Sequence, residues 1–239
     1  MYEQAWQEAT ERFERGWRPA NILGQDNVKL LKGHMKTLGL SLAPADISGW
    51  EVCASRSPEC TKHCLFTSGR GAGHFIRRDG THPVWMGRIF RTIWLFRDRA
   101  GFMDRLMHEI QRNQDAVIRL NVFSDWQWER QQPQIFEEFP NVQFYDYTKH
   151  FKRMFRKRPS NYHLTFSLHE NNEGQARQVL DAGMNVAAVT GASSLFGYPV
   201  IDGDEHDLRF LDPSPVVVGL RPKGSLRTSE SEFKYDEAA

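Results

Sequence analysis

From residue 116 onward the chain repeats one pattern: a short apolar, β-branched or aromatic run ends in polar residues, and a turn or helical stretch follows. AVIRLNVFSD, NVQFYDYTK, YHLTFSLHE, MNVAAVT, YPVIDGDE and PVVVGLRPK are six such runs, with PQIFEEF and EGQARQVLDAG as helical intervals. Parallel strands need a crossover connection, usually a helix, so this repetition predicts a parallel sheet. Counting the earlier run GWEVC as a first barrel strand brings the candidates to about seven. No GxGxxG follows a strand, so nothing points to an open dinucleotide-binding sheet. The expected fold class is therefore α/β, a partial or complete (β/α) barrel with chemistry gathered where strands end.

Ahead of that repeat the texture is helical. Trp6, Ala9, Phe13 and Trp17 have helical spacing over 2–17, and a second helix is expected over 26–38, ended by Gly39. Further helices are expected over 86–97 and after Gly101. The expected organisation is an N-terminal helical segment (1–40), a metal-binding barrel domain (41–224) and a polar, flexible tail (225–239). With 239 residues, 40% of them hydrophobic, the chain can bury a core. No apolar run approaches the roughly 20 residues that span a bilayer, which argues against a membrane partner. The start, MYEQAWQEATERFERGW, has acids and no apolar stretch, unlike a signal peptide. A soluble, cytoplasmic protein is expected.

All three cysteines, Cys53, Cys60 and Cys64, fall in one short segment. An odd count argues against a disulfide framework. Three thiolates can hold three corners of a [4Fe–4S] cluster and leave one iron open. They can also join His63, His74 or His34 in a Cys3His zinc site, or remain unliganded thiols, which are usually buried as small hydrophobes. The predicted strand ends carry Asn121, Ser124, Asp125, Asp146, Lys149, His169, Glu170, Thr190, Asp202, Asp204, Arg221 and Lys223. Of these, Ser124, Asp125, Asp146 and Asp202 are the candidate catalytic residues, weighed against the ordinary need of any strand to end in turn formers. Trp126 and Trp128 fit core packing, or stacking on a ligand. No P-loop, G-x-S-x-G or HExxH is present.

Lys+Arg at 31 against Asp+Glu at 30 leaves a net charge of +1, so a polyanionic partner must be argued from local clusters. Seven arginines and no lysine lie between Arg70 and Arg99, among them Arg77 and Arg78. The run 149–158 holds six Lys or Arg and no acid, with Phe151 and Phe155 four apart. Arg70, Arg77, Arg78, Lys152, Arg153, Arg156, Lys157 and Arg158 are the candidate nucleic-acid contacts, the alternative being a solvated helix face.

The run SGWEVCASRSPECTKHCLFTSGRG resembles the cysteine segment of phage proteins of the gene-product-88 type. The likeness continues through VIRLNVFSDWQWE, NVQFYDYTK, NYHLTFSLHE, MNVAAV, VIDGDEHDLRFLDP and VVVGLRPKG, over roughly residues 20–224. More distantly the chain is similar to phage three-cysteine-motif proteins, which place a Cys triplet ahead of a strand ending in Ser-Asp. That group resembles radical SAM enzymes with a partial (β/α) barrel. The resemblance implies a [4Fe–4S] cluster on Cys53, Cys60 and Cys64, with S-adenosylmethionine as a cosubstrate. Together with the two basic segments, it makes the leading expectation an enzyme acting on a nucleotide or a nucleic-acid base, in the cytoplasm of an infected cell. Two other expectations stand beside it: a zinc-containing barrel enzyme doing base exchange through an Asp nucleophile, and a non-enzymatic nucleic-acid-binding protein with a structural metal.

Overall fold

The computed structural model describes residues 2–25 and 28–235. The start of the helix expected over 26–38, and the last four residues of the expected tail, lie outside the described residues. In chain order the N-terminal part comprises α1 (Glu3–Glu14), β1 (Leu23–Gly24), β2 (Thr37–Leu40), α2 (Pro58–Lys62), α3 (Pro83–Arg97) and α4 (Arg99–Gln111). The middle comprises β3 (Val117–Arg119), α5 (Trp128–Gln131), α6 (Gln134–Glu138), β4 (Phe144–Thr148), α7 (Phe151–Phe155) and β5 (Tyr162–Ser167). The last third adds α8 (Glu173–Asp181), β6 (Val186–Val189), β7 (Ser194–Leu195), β8 (Tyr198–Asp202) and β9 (Val217–Leu220).

The strands form one sheet in the order β1-β2-β3-β4-β5-β6-β9-β8-β7. From β2 to β8 every neighbouring pair is parallel, and β1 and β7 are short antiparallel edges. The ladder does not close, so the expected α/β class and parallel sheet are present as an open, mostly parallel nine-stranded sheet. All six runs from residue 116 contain a strand.

Two expectations are corrected. GWEVC is not a strand: Trp50 stacks on Phe96 at 5.4 Å and the Val52 carbonyl accepts from the Asp125 amide at 2.9 Å, so the run is an irregular, packed loop. The first parallel strand is instead Thr37–Leu40, where the sequence reading expects the end of a helix, and a 3-10 turn at Val28–Leu31 lies within the span of that expected helix. Gly39 is the reason a strand fits there. A Cβ at this position would come within 2.6 Å of both Leu30 and Val122, so only a bare backbone lies flat beside β3.

Period-two alternation sorts the sheet into two faces. Phe144, Leu164, Phe166, Val186 and Val217 join the main core with helix residues such as Phe136, Val179 and Leu180. On the other face Val117 and Tyr145 pack with Leu208 in a much smaller apolar cluster. There the residues above are Arg119, Tyr147, Ser167 and Ala187, two of them charged or phenolic and two too small to fill the space. That face is hollow at the carboxyl ends of the strands.

Candidate functional site at the strand carboxyl ends

A cavity of about 700 Å³ opens at those ends, and Cys53, Cys60, Cys64, Ser124, Asp125 and Lys149 are among the residues that line it. Local sequence explains how the cysteine loop reaches it. Ser57 caps α2, its Oγ accepting from the Cys60 amide at 3.1 Å, and Pro58 takes the first helical position. Glu170, just past β5, accepts from the Ser57 hydroxyl at 2.8 Å and the Glu59 amide at 3.2 Å, fixing α2 to the sheet. Beyond Cys64 the chain turns under Arg88, which is buried, donates to the Phe66 carbonyl at 3.0 Å and lies 4.0 Å over the Phe123 ring. Gly71 permits that turn, since a Cβ would sit 1.9 Å from the Phe66 carbonyl oxygen.

The thiols are half-buried and none is in a disulfide. Burial pushes the Cys53 thiol up to about 12, with Asp125 and the other two sulfurs adding to the rise, and burial also raises Cys64. The Cys53 thiol donates to the Phe123 carbonyl at 3.6 Å. Lys149 stands among them. Burial alone lowers its ammonium, but Cys60, Asp125, Cys53 and Cys64 outweigh it and the net shift is upward. The cavity therefore favours a charged Lys149 while burial opposes ionisation of Cys53 and Cys64.

Asp125 is held from two sides. Its carboxylate accepts from the Lys149 amide at 2.8 Å and from Arg153 Nη1 at 2.6 Å. Arg153 is fully buried and also clamps Glu129 with two bonds, at 2.9 and 2.8 Å. Ser124 donates to Asn121 Oδ1 at 2.7 Å, and Asn121 organises the whole loop: its side chain also bonds Trp126 and the Trp128 indole.

Not every candidate comes to the cavity. Asp146 faces the helices, accepting from the Asn121 amide at 2.7 Å and the Tyr162 hydroxyl at 2.7 Å, and burial raises it to about 7. Asp202 is exposed, outside the cavity lining, and pairs with Arg221 at 3.5 Å. Trp128 is core; Trp126 sits edge-on to Phe96 and Trp128. His63 lines the cavity, but its ring nitrogens face Ser225 at 2.8 Å, with Ser229 and Glu59 both at 3.4 Å. His74 and His34 are exposed. Among the described residues no group of three His, Cys, Asp or Glu is placed to hold a metal ion.

The basic candidates divide likewise. Arg70, Arg77, Arg78, Lys152, Arg156 and Lys157 are exposed. Arg153 points inward, and Arg158 is half-buried, donating to the carbonyls of Arg153 and Met154. Phe155 is 51% exposed beside Lys152 and Arg156, which with Phe151 and Gln178 line a shallow groove.

Two features went unread in the sequence. Arg119 and Tyr147 belong to the cavity wall, joined below by Asp207, which accepts from Arg119 at 2.8 Å, Tyr145 at 2.8 Å and Tyr147 at 3.0 Å. A lone arginine inside the apolar run AVIRL was the available signal, since such a charge is rarely buried unpaired. The second is the tail. Residues 225–235, expected to be flexible, fold back along the cavity. Ser225 and Ser229 meet His63, Ser231 donates to Glu59, and Phe233 is part of the lining. The Tyr235 amide donates to Val189 at 2.8 Å and its hydroxyl to the His169 carbonyl at 2.8 Å.

Among the described residues no helix is long and apolar enough to cross a membrane. Comparison with curated proteins and with solved structures returns no match. The sequence model of one family, Gene product 88, matches residues 20–237, which includes the cysteine loop, every sheet strand and the folded-back tail. The chain belongs to the Gene product 88 family.

Proposed function

We propose that this protein is a phage-type iron–sulfur enzyme, radical SAM-like in its open parallel sheet, acting on a nucleotide or a nucleic-acid base. Cys53, Cys60 and Cys64 would hold a [4Fe–4S] cluster. The observation that carries this reading is that three thiols, Asp125 and Lys149 share one cavity at the carboxyl ends of parallel strands, where such folds collect their chemistry.

The donor set is our reason for preferring a cluster to a single zinc ion. A single zinc ion needs its sulfur ligands about 2.3 Å from one point, and no three donors among the described residues converge in that way. Thiolates on a cluster bind separate irons and need not meet at one point, so three thiols lining one cavity of about 700 Å³ support a cluster. His63 is engaged by serines and Glu59, which counts against it as the fourth ligand of a zinc site. A cluster on three thiolates supplies one-electron chemistry and one open coordination position.

The chain's own residues do the rest. Lys149 offsets the negative charge of thiolates once they deprotonate to bind metal. Asp125, fixed by Arg153 and the Lys149 amide, presents a carboxylate that orients a substrate hydroxyl or amine. Outside the cavity, Lys152, Arg156 and Lys157 with the exposed Phe155 ring offer phosphate contacts and a stacking surface.

Iron and acid-labile sulfide in anaerobically purified protein test the reading. Both should be present in the wild type and lost in Cys60→Ala; equal iron in the two, or zinc in the wild type, overturns it. For the nucleic-acid part, Lys152, Arg156 and Lys157 all replaced by Ser should weaken binding. The log–log salt slope should flatten by roughly one unit per lost phosphate contact, and an unchanged slope removes that part.

A further inference from the structure

The cavity wall is unevenly charged. Six cationic side chains line it, Arg56, Lys62, Arg119, Lys149, Arg221 and Lys223, against three carboxylates, Asp46, Asp125 and Asp207. Five of the six cations have a carboxylate partner: Arg56 with Glu51, Lys62 with Glu59, Arg119 with Asp207, Arg221 with Asp202 and Lys223 with Asp204. Lys149 does not. Among the described residues its Nζ makes a hydrogen bond only to the Ser167 hydroxyl, at 3.1 Å, and lies 5.8 Å over the Phe233 ring. Among the described residues it is thus the one cation of the wall with no carboxylate within ion-pair distance, and its ammonium can take an anion from a ligand.

Neighbouring groups on the same wall offer that anion further donors. Tyr147 and Lys149 alternate onto the same face of the sheet, about 7 Å apart along the chain. The side chain of Arg119 is 9% exposed, and its guanidinium lies 4.8 Å over the Tyr147 ring. One of its nitrogens, Nη1, is taken by Asp207, while Nε has no partner among the described residues. Across from this pair, Ser167 and Ala187 are small and leave room, and the Ser167 hydroxyl adds a donor.

We propose that Lys149, Ser167 and Arg119 form an oxyanion subsite on the wall of the cavity, taking the phosphate or carboxylate of a small organic ligand whose body rests against Phe123, Leu168 and Phe233. The subsite is independent of any metal, because all its groups come from the strand ends and none is a thiol.

The test uses metal-free protein, so that it does not share the fate of the cluster. Inorganic phosphate, AMP, adenosine and succinate are titrated separately by calorimetry into wild type, Lys149→Met, Lys149→Arg and the triple Cys53, Cys60, Cys64→Ala variant. Phosphate and AMP binding without adenosine assigns the subsite to phosphoryl groups; succinate binding alone assigns it to carboxylates. Lys149→Met should weaken the anion about tenfold or more, as loss of a charge-assisted bond does, while Lys149→Arg recovers binding. The triple cysteine variant should bind as wild type does. Thermal midpoints show which variants are folded, and Arg119→Lys serves as the second probe if Lys149→Met is not. Equal affinity in Lys149→Met and wild type, or no oxyanion binding by the folded wild type, overturns the proposal.

Discussion

Arg153 sits in the basic run that the sequence marks as a phosphate-binding surface, yet its side chain is fully buried. It is a cation with two carboxylates, Asp125 and Glu129, whose side chains are only 11% and 9% exposed. It also donates to Thr148 at 3.2 Å and Tyr162 at 3.1 Å. Arg153→Met keeps much of the volume and removes all of these bonds. Two largely buried carboxylates then lose the guanidinium that holds them, a defect that costs about 3–5 kcal/mol. For a chain of this size each kcal/mol lowers the midpoint by about 2–4 °C, so a fall of about 6–20 °C is expected by calorimetry. Adding Glu129→Gln to Arg153→Met should recover part of the loss, because one uncompensated charge disappears. Lys152→Ser in the same helix should change stability by no more than about 0.5 kcal/mol. If Arg153→Met costs under about 1 kcal/mol, or weakens nucleic-acid binding without a change in midpoint, the buried-hub reasoning is refuted and Arg153 belongs to the surface after all.

Three other outcomes follow from the geometry. Asp125→Asn cannot accept from both the Lys149 amide and Arg153 with the strength of a carboxylate, so it should cost about 1–3 kcal/mol by urea unfolding; if the proposed cluster is present, its iron content should stay near wild type, and a cost under about 0.5 kcal/mol would mean that these two bonds do not hold the loop. Burial, with Arg158 and Arg209 nearby, lowers His163 to about 4 from its ordinary 6.5. The folded state thus refuses a proton that the unfolded chain accepts, and stability contributed by neutral His163 falls as pH drops from about 6.5 to about 4. His163→Gln should flatten that limb of a stability–pH curve, and an unchanged limb would assign it to other groups. Truncation after Gly224 removes Leu226, Phe233 and the bonds to His63, Glu59, Val189 and His169, so it should lower the thermal midpoint and speed alkylation of the cysteines; equal alkylation rates would mean the tail does not cover the cavity.

How much of this was legible depends on the range of the interaction. The six strand runs from residue 116 announce themselves by composition and by the polar residues that end them, and every one contains a strand. Serine before proline ahead of Cys60 is a local capping signal, and the placing of three thiols in one short segment needs no tertiary information. A strand over Thr37–Leu40 was not legible, because its reason is that Gly39 lies against Leu30 and Val122 and pairs beside β3, contacts far apart in sequence. The polarity of a strand end likewise does not say which way a side chain faces. Asp125 and Asp146 look alike in sequence, but the strand alternation sends Asp146 to Tyr162 and the helices while the loop after β3 turns Asp125 to the cavity. A run of like charges reads as surface until a partner is known, and Arg153 finds its partners in Asp125 and Glu129 only through folding. Composition and local pattern determine which elements form and which chemistry is at hand. Which groups share a cavity, and which charges are spent on each other, is decided only when the sheet assembles, because burial and pairing are properties of neighbours in space.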